Sequence, residues 1–322
     1  MIIEKWKNSQ SYIIGRYHID NNLPCQDRTY YLEGKGVMVA SLADGAGSKS
    51  KSQFGAELVT KLTCELLIEK FDSFLVLFEQ ENIDKAKHNY NMNIIKETII
   101  TYLVENLREL AVKENVNIRE LSSTLLFFAM KGDHYIVGHI GDGVIATIKS
   151  VNDTPYASIV SAPENAEAAN VTFFVPDSNA VEHLRISHGS TKNLRFVLLS
   201  SDGASDLVFG KKGPDKNFYK LYENFAGILP GKYNQILERF LKEIIATYST
   251  DDLSLNLLML EQYDTDSPIQ QDYVRYLLSG IYSPRQITQK SAYCFHLQPS
   301  DKPNGKQEFK TLADIMRYLK WN

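Results

Sequence analysis

Four short acidic motifs, each at the edge of an apolar run, constrain this chain more than any other feature of its sequence. They occupy residues 25–27 (Cys-Gln-Asp), 42–47 (Leu-Ala-Asp-Gly-Ala-Gly), 200–206 (Ser-Ser-Asp-Gly-Ala-Ser-Asp) and 250–254 (Thr-Asp-Asp-Leu-Ser). The apolar runs beside them have the length and composition of β-strands. Carboxylates at strand ends, gathered from distant parts of a chain, form oxygen-rich sites for hard divalent cations. The arrangement suggests a hydrolytic centre with two metal ions.

A fifth motif lies between the second and the third. Residues 122–125 (Ser-Ser-Thr-Leu) begin a strand-like run, and residues 137–143 (Val-Gly-His-Ile-Gly-Asp-Gly) contain a turn signal. Because an isolated Asp-Gly usually marks a turn, we expect hairpin turns at residues 141–143 and at residues 131–133. A role in such a turn is a sufficient interpretation of Asp142 by itself.

The order and context of these motifs resemble the metal-dependent serine/threonine protein phosphatases of the protein phosphatase 2C (PPM) family. The resemblance covers roughly residues 10–260. It is strongest to the bacterial branch, in which a Gly-x-x-His segment precedes Cys-Gln-Asp, as residues 15–18 precede residues 25–27 here. The resemblance implies an α+β fold, an antiparallel β-sandwich flanked by helical pairs with metals at one end.

The resemblance also implies a set of metal ligands. Asp44 would bridge two Mn²⁺ or Mg²⁺ ions with help from the Gly45 carbonyl, and Asp27, Asp202 and Asp251 would complete the coordination. For any one of these aspartates alone, an Asx-turn or a cap at a strand end is the simpler interpretation.

Three other aspartates have weaker family matches. Asp142 matches a residue that contacts a third, weaker metal in several bacterial relatives. Asp206 and Asp252 are expected to support the ligands or to cap local structure, and Asp252 stands where many relatives have Asn.

Two departures from the family pattern concern catalysis. Many members bind the substrate phosphate with an Arg whose place is taken here by Asn22, so Arg16 and His18 are the nearest candidates for that role. The family's candidate general acid, a His, is replaced by Ala46. His18 or a metal-bound water would then protonate the leaving group. A purely structural role for His18 is an equally good interpretation.

These features favour a phosphoprotein phosphatase that hydrolyses phosphoserine and phosphothreonine through a water activated by a dinuclear Mn/Mg centre. Its natural counterpart would be a Ser/Thr kinase. The alternative is a catalytically weak or inactive module of the same fold that binds a phosphoprotein or a kinase. Asn22 and Ala46 favour that alternative, whereas the retained aspartates argue against it. A hydrolase of a small phosphorylated metabolite also stays open.

Composition excludes several other classes. The net charge of −4 and the absence of a long Lys/Arg block argue against a nucleic-acid surface. The three Cys are scattered and form neither a disulfide framework nor a zinc pattern. Cys25 lacks the Cys-x5-Arg loop of a cysteine-based phosphatase. With no signal peptide or membrane span in the sequence, we expect a cytoplasmic protein without membrane contact.

Apolar periodicity predicts blocks of strands and blocks of helices, which is typical of antiparallel sheets covered by helices. We expect helices at residues 54–80 and 94–114 with a loop at 81–93, and helical structure within residues 215–249. Predicted strands are residues 124–130, 135–139, 144–148, 171–175, 194–200 and 255–260. We expect a catalytic domain at residues 1–262 and an extension of unknown role at residues 263–322, with elements at 271–278, 292–297 and 312–319.

Overall fold

Two antiparallel sheets of five strands each face one another at the centre of the molecule. The computed structural model describes residues 2–80, 84–152, 154–163, 172–210, 213–214, 216–225, 233–243 and 249–264. The first half of the chain contributes, in order, β1 (Ile2–Ile13), α1 (Arg16–Asp20), β2 (Arg28–Gly34), β3 (Val37–Ala43), α2 (Ser52–Phe78), α3 (Lys85–Glu114), β4 (Leu125–Lys131) and β5 (His134–Ile140). The second half contributes β6 (Val144–Val151), β7 (Thr154–Ser161), α4 (Ala180–His183), β8 (Arg185–Ser190), β9 (Leu194–Ser200), α5 (Asp202–Val208), β10 (Phe209–Gly210), β11 (Gly213–Pro214), α6 (Lys216–Phe225), α7 (Tyr233–Glu243) and β12 (Leu253–Asp264).

The strand order brings distant parts of the chain together. One sheet, here called the β1 sheet, has the order β1-β12-β9-β6-β7, and the other, the β2 sheet, has the order β2-β3-β4-β5-β8. Strands β3 and β9, which precede two of the acidic motifs, therefore lie in different sheets. Strand β12, which follows the fourth motif, pairs with both β1 and β9.

Apolar side chains from both sheets fill the space between them. On β4, Leu126 and Phe128 face this inner core, whereas Leu125 and Phe127 at the alternate positions face the helices outside. Successive side chains of a strand point to opposite faces. Because both faces of β4 are covered, the strand is apolar almost throughout, which explains its uninterrupted apolar run in the sequence.

Helices cover the outer face of each sheet in the pairs that the sequence predicts. Helices α2 and α3 bury apolar side chains such as Leu67 and Leu103 against the β2 sheet. Helices α6 and α7 bury side chains such as Phe218 and Leu237 against the β1 sheet. The predicted antiparallel β-sandwich flanked by helical pairs is confirmed.

The predicted loop at residues 81–93 is wrong for its second part, because α3 already begins at Lys85. The Asp84 side chain caps this helix by accepting a hydrogen bond from the Lys87 N–H at 2.7 Å. The first turns of α3 are polar and carry no apolar stripe. Asn91, buried there, donates to the Leu77 carbonyl at the end of α2 at 3.0 Å, so a hydrogen bond replaces apolar packing.

The predicted strand at residues 171–175 is also wrong. Among its described residues, 172–175 form no strand, and the N–H of Val175 donates to the Ser123 carbonyl at 3.0 Å. Strand β8, which was not predicted, takes the edge of the β2 sheet beside β5. Its polar sequence, Arg-Ile-Ser-His-Gly-Ser, reflects the partial exposure of an edge strand.

The two predicted hairpin turns have different outcomes. Residues 131–133 do join the paired strands β4 and β5. Residues 141–143, in contrast, carry the chain from β5 in the β2 sheet to β6 in the β1 sheet, so the predicted hairpin is wrong. Gly141 has φ +116°, and a Cβ there would lie 2.5 Å from the Thr124 side chain. The close approach of this crossing to β4 therefore requires glycine.

The predicted elements of the C-terminal region, at residues 271–278, 292–297 and 312–319, lie outside the described residues. Strand β12 runs to Asp264, and the division of the chain at residue 262 stays a prediction. Within the described ranges, no helix is long and apolar enough to cross a membrane.

One polar side chain links the two sheets through the inner core. Asn256 on β12 is fully buried, and its Nδ2 donates to the carbonyls of Tyr30 at 2.9 Å and Ser41 at 3.0 Å on the β2 sheet. Its Oδ1 accepts a hydrogen bond from Asn8 Nδ2 at 2.7 Å. These bonds hold β2 and β3 against β12 within a few residues of Asp44.

We expect Asn256→Ala to lower the free energy of unfolding by about 2–4 kcal/mol, because buried polar groups lose their partner. Chemical denaturation measures this difference. As a control, Asn106→Ala removes an amide that bonds to the preceding turn of α3 and should change stability by less than about 0.5 kcal/mol. Equal effects of the two substitutions would contradict a stabilising link between the sheets.

Candidate metal centre

Three aspartates from distant parts of the chain meet at one end of the sandwich. Asp44 follows β3, Asp142 lies in the crossing between β5 and β6, and Asp202 begins α5 directly after β9. One carboxylate oxygen of each lies within 4.8 Å of the others. All three side chains are half-buried. All three residues are candidates predicted from the sequence, with a turn role as the alternative for Asp142.

Backbone pairing at the start of β4 fixes the position of Asp44. The N–H of Asp44 donates to Thr124 Oγ1 at 2.9 Å, and the Asp44 carbonyl accepts from the N–H of Thr124 at 2.8 Å. The next residue, Gly45, forms a bridge with Ser123. The Ser-Ser-Thr motif thus holds the chain just after β3, while Thr124 also touches the crossing that carries Asp142.

Asp142 has a partner that sequence analysis missed. The hydroxyl of Thr172 donates to Asp142 Oδ2 at 2.7 Å. Thr172 lies in a segment without regular structure, and no motif or periodicity in the sequence distinguishes it. Only the path of the chain between β7 and β8 brings the two side chains together.

Asp27 lies at the buried side of this cluster. Its side chain is inaccessible to solvent, and neither carboxylate oxygen has a hydrogen-bond partner among the described residues. Burial raises the pKa of Asp27 to about 7. A buried carboxylate without donors is unfavourable unless a proton or a cation compensates its charge.

The pKa values of two neighbouring carboxylates are raised as well. Burial, followed by the charges of Asp27 and Asp202, raises the pKa of Asp44 well above its ordinary value. Burial, followed by the charges of Asp142 and Asp251, raises the pKa of Asp202 to about 6. Clustered carboxylate oxygens are the ligands that hard divalent cations prefer, so these residues fit such an ion.

Asp251 lies beside the cluster but outside the group of three. Its side chain is exposed, and its Oδ1 accepts a hydrogen bond from the N–H of Asp252 at 2.9 Å. Asp252 is buried. The last predicted support residue, Asp206, has a side chain outside those that the structure describes.

The residues predicted to contact the phosphate lie on α1. Arg16 is exposed at the start of this short helix. His18 lies within α1, where it is only 4% exposed and its Nδ1 is 2.8 Å from Asp252 Oδ2. The N–H of Tyr17 donates to the Thr250 carbonyl at 2.9 Å, which attaches α1 to the segment that carries Asp251.

Cys25 and Arg28, beside Asp27, have structural surroundings. Arg28 Nη1 donates to the carbonyls of Cys25 at 2.8 Å and Asp27 at 2.7 Å, so its guanidinium supports the loop. Burial and the neighbouring Asp27 carboxylate raise the pKa of the Cys25 thiol, which keeps it protonated and unreactive. Both observations agree with the exclusion of a cysteine-based mechanism.

Comparison with known proteins gives a consistent result. A family model described as Protein phosphatase 2C matches residues 14–242. Serine/threonine-protein phosphatase 3 of Escherichia coli (strain K12) is 22% identical over 255 residues, which is 77% of this chain and 93% of that protein.

Solved structures show the same fold. A bacterial serine phosphatase aligns with a TM-score of 0.52 at 13% identity, over 79% of this chain and 98% of its own. The serine/threonine phosphatase of S. agalactiae aligns with a TM-score of 0.51 at 15% identity, over 79% of this chain and 99% of its own.

We expect the metal-free protein to become less stable as the pH rises from about 4 to about 7. The pKa values of Asp27 and Asp202 are raised from 3.8 to about 7 and about 6, so the folded protein holds protons that the unfolded chain has released. This stabilisation is complete below the ordinary carboxyl pKa and is lost as the folded-state groups ionise. Thermal melting in EDTA across this pH range measures the effect.

The variant Asp44→Asn tests whether the carboxylate cluster causes this loss of stability with rising pH. Because it removes one negative charge, its melting temperature in EDTA should fall less with rising pH than that of the wild type. Mn²⁺ should stabilise the wild type more at about pH 8 than at about pH 5, since the cation displaces protons. A difference between the two proteins that is independent of pH would contradict the crowded-carboxylate interpretation.

Proposed function

This chain belongs to the protein phosphatase 2C family of metal-dependent phosphatases, and we propose that it hydrolyses phosphoserine and phosphothreonine in proteins at the carboxylate cluster. The observation that carries the proposal is the convergence of Asp44, Asp142 and Asp202, with oxygens within 4.8 Å of one another. Buried Asp27 beside them adds two further oxygens without hydrogen-bond donors among the described residues. This donor set supports a site for more than one divalent cation.

We assign the ligands as follows. Asp44 would be shared by two Mn²⁺ or Mg²⁺ ions, with the Gly45 carbonyl, Asp27, Asp202 and Asp251 completing their coordination. When bound, such ions neutralise phosphoryl oxygens and lower the pKa of a water molecule, which is the chemistry that phosphomonoester hydrolysis needs.

The position of Asp142 supports a further role in metal binding. It lies with Asp44 and Asp202, and Thr172 orients one of its oxygens. We propose that Asp142 contributes to a third, weaker cation site, and that the Thr172 hydroxyl limits the directions in which its carboxylate can bind.

The chain's own side chains supply binding and orientation. We propose that Arg16, an exposed cation on a helix attached next to Asp251, contacts the substrate phosphate. Ala46 cannot donate a proton, and His18 is buried against Asp252. The leaving oxygen would therefore take its proton from solvent water.

Experiments distinguish two other functions from the proposed phosphoprotein phosphatase. A signalling module that binds without turnover is favoured by Asn22 and Ala46, whereas the intact carboxylate cluster supports catalysis. A small phosphorylated metabolite as substrate would require a restricted pocket beside the cluster. We propose a phosphorylated protein as substrate and a Ser/Thr kinase as the counterpart that produces it.

We expect hydrolysis of p-nitrophenyl phosphate and of phosphoserine peptides that requires Mn²⁺ or Mg²⁺ and stops in EDTA. The variants Asp44→Asn and Asp202→Asn should lose at least about 100-fold in kcat, because the charge that positions the cations is reduced. Asp72→Asn, which removes an exposed carboxylate paired with Lys131, should keep wild-type activity.

The substrate panel distinguishes the alternatives. Faster turnover of sugar phosphates than of phosphopeptides would favour a metabolite hydrolase. No turnover of any substrate by a folded wild type that binds Mn²⁺ would contradict catalysis and favour the binding module.

A further inference from the structure

The carboxylate of Asp252 is the most heavily used acceptor near the candidate metal centre. It is only 2% exposed. Oδ1 accepts a hydrogen bond from the Gly15 N–H at 2.7 Å, and Oδ2 accepts one from the Gln26 N–H at 2.6 Å. His18 Nδ1 lies 2.8 Å from Oδ2. One buried side chain therefore contacts three groups of the segment between β1 and β2.

These three contacts lie next to candidate metal ligands. Gln26 immediately precedes Asp27, and Asp252 immediately follows Asp251 and donates its own N–H to Asp251 Oδ1 at 2.9 Å. Gly15 packs so closely that a Cβ there would lie 2.2 Å from the carbonyl carbon of Asp251. A shift of Asp252 would consequently move residues on both sides of the site.

We propose that Asp252 and His18 act together as positioning residues, here called the Asp252–His18 clamp, which holds Asp27 and Asp251 at the separation that metal binding requires. The inference rests on the proposed function and assigns to His18 a role through Asp252. It replaces the roles in phosphate binding and leaving-group protonation that the sequence suggested for His18.

The chemistry of the contacts explains why the residue is aspartate. The Gly15 and Gln26 backbone groups are both donors, and each needs an acceptor oxygen. An asparagine in the same position has one oxygen and one NH₂ group, so one of the two N–H groups would face another donor. A buried donor left without an acceptor is costly, and the segment would be expected to shift.

The same geometry fixes the place of His18. Its Nδ1 lies 2.8 Å from Asp252 Oδ2, but the ring does not have the alignment of a hydrogen bond. The buried imidazole packs directly against the carboxylate and restricts where that carboxylate can move. Burial keeps this ring from reaching solvent-exposed substrate groups.

The test measures Mn²⁺ binding to the metal-free protein by isothermal titration calorimetry, a readout that does not depend on turnover. Asp252→Asn should weaken Mn²⁺ binding by about 10- to 100-fold, as loss of an orienting partner typically does. His18→Gln should also weaken Mn²⁺ binding. Because it leaves the Asp252 carboxylate intact, it provides a second test if Asp252→Asn does not fold.

Asn91→Ala is the matched control. It removes a buried polar side chain at the junction of α2 and α3, and should leave Mn²⁺ affinity unchanged.

Kinetics with two leaving groups separates the clamp from a general acid. If His18 acts through the clamp, His18→Gln raises the Mn²⁺ concentration for half-maximal activity equally with p-nitrophenyl phosphate and with a phosphoserine peptide. If His18 is an acid, the variant loses kcat mainly with phosphoserine, whose alkoxide leaving group needs a proton, and keeps its Mn²⁺ affinity.

This second kinetic result overturns the proposal, as does Mn²⁺ affinity within about threefold of wild type in both variants. A wild type that binds Mn²⁺ without turnover would contradict the proposed function but leave the calorimetric test intact. A wild type that binds no Mn²⁺ would overturn both.

Discussion

Repulsion among clustered carboxylates, most of them partly or fully buried, is the constraint that the rest of this fold accommodates. Burial and the charges of its neighbours raise the pKa of Asp44, and burial raises the pKa of Asp27 to about 7. Such a group of side chains would separate if it were carried on mobile loops. Two sheets with a common apolar core keep it together, because Asp44, Asp142 and Asp202 follow strands that are paired on both sides.

The aspartates are held mainly by groups from other motifs. Thr124, at the start of β4, bonds to the backbone of Asp44, and Thr172 bonds to the side chain of Asp142. Asp252, in the fourth motif, accepts a hydrogen bond from the backbone N–H of Gln26 in the first. The contacts of Thr124 and Asp252 each join one motif to another, which gives a physical reason for the occurrence of these motifs together in one chain.

The sequence predicted those parts of the fold and the site that depend on local residue patterns. Asp44 and Asp202 follow strongly apolar strands, and the main helices carry regular apolar spacing, so both could be predicted from sequence. The sequence could not assign residues 141–143 to a crossing between sheets, because a Gly-Asp-Gly turn has the same local signature in a hairpin. Thr172 and strand β8 depend on tertiary contacts alone, and the polar start of α3 gives no periodic signal.

The pairing of β1 with β12 joins Ile2 to Asp264, nearly the full length of the described chain. During synthesis on the ribosome, β1 has no partner until residues 253–264 have emerged, and β9 keeps an open edge until the same strand follows it. Contacts between residues so far apart in sequence slow folding and expose unpaired strands to other molecules. The nascent chain would therefore be prone to aggregation until β12 has formed, and it would be inactive until that strand is in place.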